Sequence, residues 1–166
     1  MRAGLAAVLL LAGCSSAAPL PPHAEAPRFD PIDFFDGRSA GTGTLDMILK
    51  SPVPIRVESV GRRINGDGLV LDQRIREGAR PPRLRRWVLR PAGANRWTGS
   101  LTDAGGPVTA TVDGNSLRID YVMKNGLEVE QLLRLRRDGR SAANRMTIRK
   151  WGIPVASVEE HIRTLD

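Results

Sequence analysis

Few residues of this 166-residue chain have the type and spacing to do chemistry, and they point in different directions. Cys14 is the only thiol, placed after an apolar run, Leu5 to Ala12, and a small Gly13. A thiolate at such a place is a nucleophile and an attachment point. The two histidines are His23 and His161. In an extended strand Glu159 and His161 share a face, which is the arrangement of a carboxylate–histidine proton-transfer pair, although solvent faces carry such pairs without any catalytic role. Glu128 and Glu130 also share a face, opposite Leu127, Val129 and Leu133. They read as the solvated side of a strand, pairing with Arg118 or Lys124 across a hairpin. The sequence holds no phosphate loop and no His/Cys metal spacing. It therefore nominates no catalytic residue, no metal ligand and no cofactor. An enzyme acting on lipids would require Asp103, Asn144, Arg145 and Lys150 to converge in one cavity. A turn and a strand-end ion pair are the plainer reading of Asn144 and Arg145.

The stretch that holds Cys14 has the layout of a secretory signal: Arg2, the short apolar core, then small residues. The core falls far short of the ~20 residues needed to span a bilayer as a helix. Leu11-Ala12-Gly13-Cys14 resembles the lipobox of bacterial lipoproteins. That resemblance implies cleavage before Cys14, a diacylglyceryl group on its sulfur and anchoring by acyl burial, about 0.8 kcal/mol per buried methylene, with two or more chains for stable attachment. Ser15 in the place after the cysteine implies, by the same resemblance, sorting to the outer membrane, facing the periplasm. Ser15 to Pro31 is Ala/Pro-rich and reads as a flexible tether. The expected organisation is a signal over 1–13, acylated Cys14 and tether over 14–31, and one domain over 32–166. With Cys14 acylated, no intramolecular disulfide is possible.

The formal net charge is +7, and only Lys50, Lys124 and Lys150 are lysines, the other basic residues being arginine. Such a balance suits nucleic acid or anionic lipid. Export and the lack of long basic runs interleaved with aromatics argue against nucleic acid. An Arg-rich solvated surface is the simpler reading, with anionic lipid head groups as the alternative partner.

The elements that must position these residues are strands. Leu45, Met47 and Leu49 alternate with Thr44, Asp46 and Ile48. Leu69, Leu71, Gln73 and Ile75 share a face, as do Trp97, Gly99 and Leu101, and Val108, Ala110 and Val112. The clearest case is Leu117, Ile119, Tyr121 and Met123 against Arg118, Asp120, Val122 and Lys124, followed by Leu127, Val129, Gln131, Leu133 and Leu135. Period two means half-buried strands. Between them fall turn signals: Asn65-Gly66-Asp67-Gly68, Gly78 to Pro82, Pro91 to Asn95, Gly105-Gly106-Pro107, Asp113-Gly114, Asn125-Gly126 and Asp138-Gly139. About ten consecutive short strands joined by tight turns predict an all-β fold, a single antiparallel meander closed into a barrel or stacked as a sandwich.

A small barrel either fills with side chains or holds one ligand. Trp87, Trp97, Tyr121 and Met123 are the candidate lining residues, with Asn144, Arg145 and Lys150 as polar candidates. Aromatic residues make up only 4% of the chain, so aliphatic side chains would supply most of any pocket.

The segment Ala142 to Arg163, "AANRMTIRKWGIPVASVEEHIR", resembles the closing hairpin of the bacterial family known as domain of unknown function 3833. It carries Asn144, Arg145, Met146, Lys150, Trp151 and Gly152 in that family's order. Phe34-Phe35-Asp36-Gly37 resembles its opening, followed by Gly41 and Gly43. Arg85 to Leu89, Trp97 to Gly106 and Gly114 to Met123 resemble its middle hairpins. The chain departs from the pattern at Leu133 and Leu135, where the family has a Trp-x-Tyr pair, and at Asp72, Gln73 and Ile75. The resemblance implies a lipocalin-like barrel on an envelope lipoprotein and supplies no activity. Two readings follow. In one the barrel holds a small apolar or lipid-like ligand. In the other it is packed solid and an Arg-rich exterior docks on a partner. A hollow interior separates them.

Overall fold

In the computed structural model, residues 19–65 and 67–165 are described. Cys14 and the signal-like segment lie outside them. The chain forms one short helix, α1 (Pro31–Phe35), and ten strands: β1 (Gly37–Met47), β2 (Val53–Ile64), β3 (Gly68–Glu77), β4 (Arg83–Pro91), β5 (Arg96–Leu101), β6 (Val108–Asp113), β7 (Ser116–Val122), β8 (Glu128–Leu135), β9 (Ser141–Lys150) and β10 (Ile153–Leu165). Each strand pairs antiparallel with its sequence neighbours. The sheet closes where β1 meets β10, with Arg38 opposite Leu165 and Met47 opposite Ala156. The fold is the expected all-β meander, and the barrel form is the one adopted.

The alternation that predicts the strands also sorts inside from outside. In β7, Leu117, Ile119 and Tyr121 are buried while Arg118 and Val122 are exposed. In β8, Val129, Gln131, Leu133 and Leu135 are buried. Leu127 to Arg137, acceptable as a helix on propensity alone, takes the strand form its alternation indicates. Turn glycines sit where a positive φ is needed, Gly114 at 52°, Gly126 at 81° and Gly139 at 66°. The first strand ends earlier than its alternation suggests. Lys50 N–H donates to the Met47 carbonyl, the chain turns, and Leu49 is fully exposed at a φ of 60°. Pro52, which has no N–H for a sheet ladder, follows at once.

One end of the barrel is plugged. Asp30 caps α1, its carboxylate accepting from the N–H groups of Ile32 and Asp33 at 2.8 and 3.0 Å, with Pro31 at the first helical position. The plug is aromatic: Phe29 and Phe34 rings lie 5.1 Å apart, Phe34 and Phe35 4.9 Å. Gly61 makes room for it, since a Cβ there would stand 1.7 Å from the Phe35 carbonyl oxygen. The segment before α1 is laid along the same end. Arg134 donates to the Pro21 carbonyl at 2.8 Å, Asn115 N–H to Ala24 O at 2.7 Å, and Phe29 N–H to Gly114 O at 2.8 Å. From Pro21 onward, therefore, the segment read as tether is docked on the barrel, because Asn115 and Arg134 satisfy its backbone and Phe29 is wholly buried.

The outer surface is Arg-rich, and much of it is paired. Asp72 accepts from Arg86 and Arg62, Arg118 bridges Asp120 and Glu130, and Arg145 binds Glu159. The Glu130–Arg118 pair is the one expected from the hairpin register. Each exposed pair contributes about 0–1 kcal/mol, so the network governs solubility more than stability.

Candidate ligand-binding site

Above the plug the barrel is hollow. Leu69, Leu117, Leu133 and Val108 are wholly buried in the core. The half away from the plug contains a cavity of about 620 Å³, open at the end where β1–β2, β3–β4, β7–β8 and β9–β10 turn. That volume is in the range of small-molecule sites, about 300–1,000 Å³. Leu45, Ile55, Val57, Met146, Ile148 and Val158 give it an aliphatic wall. At the mouth stand Lys50, Glu77, Arg80 and Arg83. Glu77 pairs with Arg80 at 3.4 Å and Arg83 at 3.1 Å, and Arg83 reaches Asp103 at 2.8 Å.

Three polar side chains reach the cavity from its deep side: Arg85, Tyr121 and Glu160. Arg85 Nε donates to Gln73 Oε1 at 3.1 Å. The same oxygen accepts from the Trp87 indole at 2.7 Å, and the Gln73 amide nitrogen donates to Ser59 Oγ at 3.1 Å. The guanidinium also lies over the Trp87 ring, 5.3 Å from its centroid. Trp87 in turn meets Tyr121 edge-on at 5.7 Å. Burial pulls the Arg85 guanidinium below its ordinary pKa and pushes the Tyr121 phenol above its own.

Glu160 faces inward because it alternates in step with Val158 and Ile162 along β10. The absence of side chains on β1 makes its niche: a Cβ on Gly41 would fall 1.8 Å from Glu160 Oε1. Asn144 Nδ2 donates to Glu160 Oε2 at 2.9 Å. Burial raises the Glu160 pKa well above the usual carboxylate range, against the pull of Asn144 and of the Arg85 charge. Ser39 Oγ, Gln131 Oε1 and Asn144 Oδ1 are buried nearby without hydrogen-bond partners among the described residues, a cost that polar interiors rarely carry without a reason.

The residues nominated from sequence separate into groups. Tyr121 and Met123 line the cavity. Trp87 and Asn144 stand behind its deep wall, holding Gln73 and Glu160. Trp97 is opposite Ala110 and Pro91, towards the closed half. Arg145 points outward to Glu159 at 3.0 Å, and Lys150 lies at the β9–β10 turn, 4.6 Å from the centre of the Trp151 ring. Asp103, Asn144, Arg145 and Lys150 thus do not converge, and Glu159 bonds Arg145, not His161. Sequence reasoning passed over Arg85 and Glu160. The signal was present: both occupy inward parity, Arg85 with Trp87 and Leu89, Glu160 with Val158 and Ile162. Among the described residues there is no cluster of three His, Cys, Asp or Glu suited to a metal, and no helix long and apolar enough to cross a membrane.

A closed antiparallel meander, plugged at one end and open to an aliphatic cavity at the other, defines a lipocalin-like barrel. The chain belongs to the family described as protein of unknown function DUF3833, whose model matches residues 8–164. Among solved structures it is similar to an S-type phycobiliprotein lyase, CPES, from Guillardia theta, with a TM-score of 0.66 and 6% identity over 81% of this chain and 90% of that one. It is also similar to a protein of unknown function of the DUF3598 family from Nostoc punctiforme. There the TM-score is 0.65 with 12% identity over 85% of this chain, which spans about half (51%) of that protein. At these identities the likeness concerns the fold alone. No curated protein matches the chain.

Proposed function

We propose that this protein is a membrane-anchored envelope lipoprotein whose barrel binds a small apolar or lipid-like molecule. The observation that carries the reading is the cavity of about 620 Å³ with its aliphatic wall. A barrel serving only as a packed interaction module has no use for an unfilled half, since empty apolar volume costs stability. Anchoring rests on the lipobox-like Leu11 to Cys14 that closes the apolar run. Cys14→Ala is expected to move the protein from the membrane to the soluble fraction, read by cell fractionation. Continued retention overturns the anchor.

The docked segment leaves the barrel at the plugged end. Six residues lie between Cys14 and Pro21, seven Cα–Cα steps with a reach of roughly 25 Å at full extension. At the mouth end stand exposed Ile48, Leu49, Trp151 and Ile153, together with Lys50, Lys124 and Lys150, the chain's three lysines. Such a rim suits anionic lipid head groups, the surface from which an apolar ligand would be drawn. The binding reading is tested by Ala156→Trp. Ala156 lines the cavity, and an indole there blocks it. Uptake of an apolar fluorescent probe is expected to fall at least tenfold with the thermal transition retained. Unchanged uptake places the probe elsewhere and removes the reading.

A further inference from the structure

The deep side of the cavity is electrically lopsided. One guanidinium, Arg85, is held there by Gln73 and the Trp87 ring, and Gln73 is itself held by Trp87 and Ser59. β2, β3 and β4 thus cooperate to fix a single cation. Only its Nε is used by the protein. Among the described residues its two terminal nitrogens have no hydrogen-bond partner and no carboxylate within ion-pairing distance. Glu160, the acid on the deep side of the same cavity, is occupied by Asn144 and set back in the Gly41 niche. Of the cations nearer the mouth, Arg80 and Arg83 are engaged by Glu77 and Asp103, while Lys50 stands at the rim, away from the deep side. A guanidinium stays protonated in proteins, and an enclosed one without an anion is costly.

We propose that Arg85 is a head-group anchor: the cavity takes an amphiphile with an aliphatic tail and a single carboxylate, which accepts from both terminal nitrogens of Arg85. This rests on reading the cavity as a ligand site. The planar fork of arginine matches a carboxylate bidentately. The charge count selects among anions. A phosphate monoester brings nearly two negative charges, whereas the cavity floor offers one unpaired cation. The tail then lies along Leu45, Ile55, Met146, Ile148 and Val158, towards the mouth.

Titration calorimetry of the purified full-length chain with dodecanoate, dodecanol and dodecyl phosphate tests this. Dodecanoate is expected to bind at least about tenfold more tightly than dodecanol, as a charge-assisted pair does. Arg85→Gln should bring dodecanoate down to the level of dodecanol and leave dodecanol unchanged. Gln73→Leu, which frees the guanidinium from its holder while keeping the charge, should lose most of the same discrimination, so the outcome does not hang on one variant's folding. Equal affinity of acid and alcohol for the unaltered protein overturns the head-group assignment and leaves the apolar site standing. Tighter binding of dodecyl phosphate overturns the carboxylate. Failure of all three to bind overturns the site itself.

Discussion

Phe29→Ala is expected to cost about 3–5 kcal/mol of folding stability, the range for truncating a fully buried aromatic. Chemical denaturation reads it. Phe29 is 0% exposed and packs on Phe34 at 5.1 Å, and its N–H donates to the Gly114 carbonyl. It is the hinge between the strap from Pro21 and the plug α1. Removing the ring leaves a cavity under a five-residue helix, which has no stability of its own outside its packing. The strap's hydrogen bonds to Asn115 and Arg134 then close a segment no longer pinned at its far end. If the strap were an incidental contact of a flexible tether, the variant would unfold at the same denaturant concentration as the unaltered protein.

The second large effect is a dependence on pH. Burial raises the Glu160 carboxyl above its ordinary pKa. Below the unfolded value of about 4.3 it is neutral in both states and carries no penalty. As pH rises from there towards the raised folded value, the unfolded chain gives up its proton first. Stability falls through that window by up to about 1.4 kcal/mol per pH unit, and the loss is constant above it. The groups acting on this carboxyl are Asn144 beside it on β9 and Arg85 on β4, both of which lessen the shift. Asp72, held down chiefly by its hydrogen bond from Arg86, works the other way and loses its contribution towards acid. Its exposed setting makes that term small. Glu160→Gln keeps a side chain for Asn144 to meet and removes the titration. The variant's advantage over the unaltered protein should grow as pH rises above about 4.5. A difference that stays flat across that range would show Glu160 ionised throughout.

Period-two alternation made nearly the whole barrel legible, because a closed meander asks each strand to bury alternate residues and each hairpin to supply a positive φ. Asp113-Gly114, Asn125-Gly126 and Asp138-Gly139 all do so. The helix was less legible. Five residues carry no period, and its only signals are Asp30 as cap and Pro31 behind it. The docking of Pro21 to Phe29 was illegible for a different reason, since its partners Asn115 and Arg134 are about a hundred residues away. The site was half legible. Tyr121 and Met123 follow from face parity. Arg85 and Glu160 share that parity, yet charged residues are expected outside, and the carboxylate–histidine spacing singles out Glu159 and His161, the half-buried neighbours of Glu160. An inward charge stands out only once the barrel is known to be hollow at that level. Gly41 and Gly43 show the same limit: a glycine-rich strand is visible in sequence, but the carboxylate it admits comes from the opposite end of the chain.

The central claim is that the hollow half of the barrel is a binding site, and its most direct test is mass spectrometry of the intact protein purified without added lipid, followed by organic extraction. The account predicts a bound apolar small molecule that extraction releases and that Ala156→Trp protein lacks. A protein that leaves the cell with an empty cavity, and stays empty when offered apolar and amphiphilic molecules, would contradict it.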